Sequence, residues 1–420
     1  MKRLLSILMA AFMTTAAFAL DMPFFNGYAG LLGNMTGKKD ADSYDPDIDI
    51  EAFFSGQLDF SGKFLARGEF YISSEDLLQN DLFEETTQNN AIFRIEELSA
   101  TYKMSTTASS HYFSVFLGNF EPIGSDIFLQ RQFGIQPVTS KLTASWHSLS
   151  GASVYPFYGS GISYVYHPES SGAFGLYFYM NKQTEEDETK NVMNLDLRLA
   201  KLFSNLTVDF SAGLGFPVEN TDENGNKVFL LVREIQLHAG MNFLLGNRYT
   251  TSFFMQGGFN KFVLSSDNET SHKITFADLY FLIEPRLTLR LFQLNIAAFN
   301  IPRESAEHMM YLKRATDKDE NITNLLGLNA NVVTDHLYLG NTNFTFGIHS
   351  TLILTDSDFE ALKDDPKVVL DWNYEIYVTP YVSMPVLGGT MNASLAASIL
   401  DFKDDWKSAV DFSLGFKTRF

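Results

Sequence analysis

Residues 408–420 read SAVDFSLGFKTRF. Val410, Phe412, Leu414, Phe416 and Phe420 share one parity, and Asp411, Ser413, Gly415, Lys417 and Arg419 share the other; only Thr418 interrupts the apolar file. Successive side chains of a strand point to opposite faces. This stretch is therefore a strand with one greasy face and one wet face. In water, a strand of this kind would be an open edge, ready to pair with any other chain. The pattern makes sense if the apolar face meets lipid and the strand closes a barrel.

The same alternation recurs upstream. Over 47–60 the even positions carry Ile48, Ile50, Ala52, Phe54, Gly56, Leu58 and Phe60, and the odd ones Asp47, Asp49, Glu51, Phe53, Ser55, Gln57 and Asp59. Ser61-Gly62 is a turn pair, and 64–73 alternates again, which predicts a β-hairpin. Similar files run through 206–216, 234–243, 249–259, 277–291 and 368–379. Pro285 interrupts one of them and predicts a bulge. These runs are longer than the ~5–6 residues of a typical sandwich strand and match the ~9–11 needed to cross a bilayer.

Composition agrees. The chain has 420 residues, 14% of them aromatic and 39 of them Phe, yet its mean hydropathy is only −0.06. Such a sequence is apolar at about every other position, as in barrels with aromatic girdles at both interfaces. No segment offers ~18 uninterrupted apolar residues for a membrane helix. Lys2 and Arg3, the apolar run 4–14 and Ala17-Phe18-Ala19 form a secretory signal peptide, expected to be 1–19 with cleavage before Leu20. The absence of cysteine excludes disulfides and thiolate metal sites. The net charge is −19, and loss of the leader's Lys2 and Arg3 makes it −21. This argues against nucleic acid as a partner.

The expected fold is all-β: a transmembrane antiparallel barrel of about 18 strands (roughly 16–20), with short turns at one end and long loops at the other. The long polar connections are 37–46, 74–90, 217–227, 265–273, 302–323 and 355–367. Counted back from Phe420, with that end in the periplasm, all of them fall outside the cell. Residues 20–420 should form one barrel without a separate plug domain.

The polar parity should line the lumen. Its candidate pore residues are Asp59, Arg67, Glu69, Glu234, Glu284, Arg286, Arg290, Asp371 and Glu375. Acids outnumber bases on this parity, which points to a mild preference for cations. Opposite charges on neighbouring strands also pair and stiffen the wall, so selectivity should be weak. The irregular run 120–158 is a candidate inward-folding constriction loop, with Glu121, Asp126, Arg131 and Lys141 as its charges. The alternative is an extracellular loop or an additional hairpin. The acidic cluster Asp40, Asp42, Asp45, Asp47 and Asp49 is read as solvated, and no metal site or cofactor is expected. Signatures such as GxSxG, HExxH, a P-loop or GxGxxG are missing, so no enzymatic activity is expected.

Residues 94–102 (RIEELSATY), 116–122 (FLGNFEP) and 161–168 (GISYVYHP) together resemble the phosphate-selective porin O/P group. The resemblance implies a bacterial outer-membrane porin. It places Arg131 and Lys141 where that group has basic loop residues, but the acidic lumen does not fit phosphate selectivity. The closing strand, through Phe412, Leu414, Phe416 and the terminal Phe420, resembles the assembly signal of outer-membrane barrels; Thr418 stands where that signal usually has an aromatic. The implied location is the outer membrane. The implied partners are the lipid bilayer, the barrel assembly machinery and small hydrophilic solutes, with a homo-oligomer left open. Two other functions compete: a fatty-acid-type transporter, suggested by Phe53, Leu65 and Phe254 on the inward parity, and a surface adhesin built on the long loops.

Overall fold

The computed structural model describes residues 24–40, 43–74, 91–135, 138–143, 157–185, 188–221, 227–232, 234–246, 251–265, 278–317, 323–339, 342–354, 367, 373–403 and 406–420. The signal-peptide expectation and Asp371 lie outside the described residues.

The described chain forms a closed antiparallel β-barrel. In chain order its strands are β1 (Phe24–Asp40), β2 (Ser43–Phe60), β3 (Phe64–Ser74), β4 (Ala91–Ser105), β5 (Ser109–Asn119), β6 (Tyr158–Pro168), β7 (Gly172–Glu185), β8 (Glu188–Leu202), β9 (Leu206–Thr221), β10 (Lys227–Leu231), β11 (Glu234–Gly246), β12 (Ser252–Ser265), β13 (Leu279–Thr288), β14 (Gln293–Pro302), β15 (Asn324–Leu339), β16 (Thr342–Leu354), β17 (Tyr374–Val386), β18 (Gly389–Ser398) and β19 (Val410–Arg419). β10 and β11 both pair with β9, so they share one place and the wall has eighteen. Every other strand pairs with its neighbours in sequence, and β19 closes on β1.

Closure turns the alternation of each strand into an inside and an outside. Outside lie exposed apolar side chains such as Leu31, Phe113, Ile162, Leu197 and Phe412. Inside, Asp196, Arg198 and Asp209 are fully buried. A water-soluble fold has the reverse arrangement. An apolar outside gains nothing by packing against itself in lipid; what holds the wall is the ladder, because no water is available to satisfy a broken backbone bond there. Near the end that carries Phe24 and Phe420, outward rings cluster: Phe64 on Tyr102 at 4.8 Å and Phe113 on Tyr164 at 5.1 Å, with His111 Nδ1 bonded to the Tyr164 hydroxyl at 2.9 Å. Amphipathic rings of this kind suit a membrane interface.

At that end the connections are short. Ser61 and Gly62 adopt positive φ (57° and 66°), and Gly62 N–H donates to Asp59 Oδ1 at 2.8 Å. Phe60 pairs with Phe64, so the turn has three residues and not two. At the opposite end, 37–46 is not a loop: β1 and β2 stay paired up to Asp40 and Ser43. Pro285 makes no bulge. The pairs Ile283–Ala298 and Arg286–Asn295 keep one register across it, and the proline pairs with Phe253 on its other side. The wall absorbs the missing N–H without inserting a residue. Among the described residues, register shifts lie instead at Glu69/Phe70, Lys227/Leu231, Leu237/Ala239 and Thr334/Leu337.

Candidate functional site: the barrel interior

Two connections from the long-connection end carry side chains into the interior. The first joins β5 to β6 and contains helix α1 (Ile127–Phe133). Ile123, Phe128, Leu129 and Leu142 of this segment are buried against inward residues of the wall, including Tyr177, Phe254, Tyr280 and Leu282. α1 ends at Gly134 (φ 66°), whose N–H donates to Gln130 O at 2.9 Å, a left-handed C-cap that glycine accepts without strain. Asp126 precedes the helix, but its carboxylate does not cap it. Oδ1 accepts the Val138 N–H at 2.9 Å and Oδ2 the Thr139 hydroxyl at 3.3 Å, which staples the chain after the helix to the chain before it. Burial pushes the Asp126 carboxyl up to about 6, against the pull of those two donors.

Charges tie this segment to the wall. The Arg198 guanidinium on β8 forks onto Asp209 of β9 at 2.8 and 2.5 Å, donates to the Glu121 carbonyl and lies 4.3 Å from the Phe128 ring centre. Glu121 sits at φ 49°, and its carboxylate accepts from the Tyr177 hydroxyl at 2.6 Å and from Arg131 at 3.2 Å. Arg131 also reaches Glu97 on β4 at 2.5 Å. Farther round, Ser140 donates to Glu284 of β13, and Arg286 bonds both Glu284 (2.6 Å) and the Val138 carbonyl (3.1 Å). From β4 to β13 the segment is thus fastened by inward charges that sit on alternating positions.

The second connection joins β14 to β15 and contains two short helices, α2 (Arg303–Ala306) and α3 (Lys313–Asp317). Counting back from the C terminus places it outside the barrel; in the structure Ala306, Met309, Leu312 and Ala315 are almost completely buried within it. The physical reason lies in the sequence. Apolar residues recur every third position in a stretch otherwise rich in charge, so one face of this connection needs cover, and the interior supplies it.

Below both segments, toward the short-turn end, a cavity of about 590 Å³ remains. Its walls are β1–β6 and β19, with Tyr28, Gln57, Arg67, Thr101, Ser114 and Arg419 among its lining, and Gln130 and Arg131 of α1 close one side. Arg67 is paired with Glu69 (3.1 Å) and Glu97 (3.5 Å), whereas Arg419, at the mouth, lies over the Tyr28 ring at 5.8 Å.

Of the sequence-derived candidates, Arg67, Glu69 and Arg131 meet around Glu97 at this cavity. Glu284 and Arg286 lie under the β5–β6 segment. Asp59 caps a turn, and Arg290 is in the exposed β13–β14 turn. Glu234 starts β11 and accepts from Gln236 at 3.0 Å, and Glu375 lies on β17. Lys141 follows Ser140 in the inward segment. Phe53 packs with Leu32 and Met310, and the Arg286 guanidinium lies 4.8 Å from the Phe254 ring, so these rings are covered and line no apolar path. Sequence reasoning missed the 303–317 segment altogether. Its signal was the run Met309-Met310-Tyr311-Leu312 inside a supposed polar loop.

No protein-family model matches the chain, and no curated protein matches it. Among solved structures it is similar to the Acinetobacter baumannii protein OccAB3 (10% identity, TM-score 0.49, 94% of this chain and 99% of that one). It is also similar to Salmonella typhi OmpF solved in complex with daunomycin (10%, 0.42, 95% and 97%). A third is Wzi of Escherichia coli, described as a carbohydrate-binding β-barrel involved in group 1 capsule assembly (10%, 0.45, 98% and 87%).

Proposed function

We propose that the protein is a porin-type channel of a bacterial outer membrane, passing small hydrophilic solutes by diffusion through the barrel interior, with no chemical reaction. One observation carries this reading: a closed wall that leaves a cavity lined by Gln57, Arg67, Thr101, Ser114 and Arg419 beside an inward-folded, charge-fastened segment. Barrels of about 16–18 strands have room for an aqueous path, and an inward segment narrows it. In this reading 120–158 is the constriction, and Glu121, Asp126 and Arg131 are its charges, with Lys141 at its far end. Phe420 and the short turns face the periplasm, and β19 carries the assembly signal.

Selectivity follows from the charge pattern. Acidic excess on the inner face favours cations. The Arg67, Arg131, Arg198 and Arg286 pairs neutralise much of that excess locally, which supports a weak preference. The resemblance to the phosphate-selective porin O/P group is carried over as a porin-type channel only, because Arg67 and Arg131 are engaged by carboxylates and do not offer phosphate a free basic patch.

The test is reconstitution of the purified full chain in planar bilayers. Stable current steps are expected, with a reversal potential of cation sign in a salt gradient. A protein that inserts and stays silent refutes the channel; steps with anion selectivity refute the charge argument alone.

A further inference from the structure

The 303–317 segment crosses the barrel. It leaves the wall at β14, where Arg303 N–H donates to Thr323 O at 2.9 Å and closes the base of the connection. Its charged contacts reach β19, β2 and β4. Lys313 Nζ meets Glu51 Oε1 of β2 at 2.7 Å. Arg314 pairs with Asp411 of β19 and donates to the Ser408 carbonyl at 2.6 Å. His308 Nε2 is 3.3 Å from Arg94 of β4. Between these points Met310 packs on Leu32 and Phe53, and the Tyr311 ring lies 4.0 Å from His349 and 5.5 Å from Tyr381.

The heights of these contacts matter. On β2, Glu51 and Phe53 touch the segment, while Ser55 and Gln57, next toward the short-turn end, line the cavity. On β1, Leu32 touches it and Tyr28 and Asn26 line the cavity. On β4 the order is Arg94, then Ser99 and Thr101; on β19 it is Asp411, then Arg419. On β1 and β2 the segment is seated just above the cavity; on β4 and β19 its contacts lie farther toward the long-connection end. Burial works against the Lys313 ammonium, but the Glu51 carboxylate more than compensates and holds its pKa above the ordinary lysine value.

We propose that residues 303–317 are a lid that closes the cavity toward the long-connection end, latched to the wall by Glu51, Asp411 and Arg94. The base stays fixed by the Arg303–Thr323 bond, and the latch is the part that releases. In this proposal the ion pairs decide between a seated and a released position, the two arrangements a gate requires. The idea rests on the channel reading for its effect on flow, but the position of the lid is measurable without current.

The natural chain has no cysteine, so Thr316→Cys, at a position only 2% exposed, reports the lid through its reaction with a water-soluble maleimide. In the full chain folded in detergent, the thiol should be protected. Adding Glu51→Gln and Asp411→Asn should speed labelling by about tenfold or more and raise the unit conductance in bilayers at least about twofold. Lys313→Met with Arg314→Met unlatches from the lid side and should do the same if the first variant does not fold. The swapped pair Glu51→Lys with Lys313→Glu should restore protection. Unchanged labelling in both unlatched variants overturns the latch, and faster labelling with unchanged conductance overturns the lid. Silence of the inserted natural protein overturns the channel reading, and the lid's role in flow with it.

Discussion

Arg198 offers the sharpest test of how the interior is held. It is completely buried, as is Asp209, and four of its contacts are strong: two bonds to Asp209, one to the Glu121 carbonyl and the face of Phe128. Arg198→Met leaves the Asp209 carboxylate facing the Asn242 amide, which donates to it at 3.4 Å. Breaking a buried pair from one side costs about 3–5 kcal/mol, whereas replacing both partners by apolar side chains of similar volume is often neutral. Arg198→Met and Asp209→Leu should therefore each destabilise the barrel by about 3–5 kcal/mol, and the double variant by only about 0–2 kcal/mol. Equilibrium unfolding of the refolded protein by guanidinium, followed by fluorescence of its three tryptophans, measures the cycle. The double variant still lacks the bond to Glu121 and the cation over Phe128, so its β5–β6 segment should dock less firmly and its channel should be noisier. Additive single effects, with the double variant losing about 6–10 kcal/mol, would refute the view that the pair's cost lies in the stranded charge.

Three further outcomes follow from the same geometry. Deleting Phe420 removes a ring that lies 5.6 Å from Phe54 and 5.4 Å from Phe25, and two backbone bonds to Gly27 of 3.0 and 3.1 Å; at about 1 kcal/mol each, closure should weaken by roughly 3–4 kcal/mol, seen as a severalfold lower yield of assembled barrel in outer-membrane fractions with unit conductance unchanged. Asp126 has a folded-state pKa of about 6 against an ordinary 3.8, so the folded chain holds this proton more tightly than the unfolded one; the stability is fully present below about pH 4, falls by roughly 2–3 kcal/mol as pH rises to about 6 and above, and should become flat across that window in Asp126→Asn. Arg131→Met removes a cation from the cavity wall and leaves Glu97 and Glu121 behind; the cation-to-anion permeability ratio should rise about two- to threefold, and an unchanged reversal potential would mean that the permeation path avoids this cluster.

The wall was legible from residues alone because a barrel strand is a local code. Each strand declares its two faces by parity, and 408–420 declares them most cleanly. The turn at Ser61 and Gly62 was legible as a turn but not in length, since the pairing of Phe60 with Phe64 depends on register and not on composition. The extended β1–β2 hairpin over 37–46 was hidden because its residues are polar on both faces, and polarity looks like loop. The interior was harder. Glu121, Arg131, Arg67 and Glu97 are separated in sequence and meet only after a segment turns inward. The Lys313–Glu51 contact joins residues 262 positions apart, which no local pattern encodes. What local pattern did offer, the apolar spacing of Ala306, Met309, Leu312 and Ala315, marks a face that needs cover without saying which surface covers it.

The pairing of β1 with β19 has a consequence for time. Tyr28 is held opposite Arg419, and Thr36 opposite Asp411, so β1 finds its second neighbour only after β19 has been made. The entropic cost of closing so long a loop grows only as the logarithm of its length, but the wait does not shrink. Until then β1 has one open side, and every hairpin formed behind it extends a sheet with two unpaired margins. Closure of the barrel thus waits on β19.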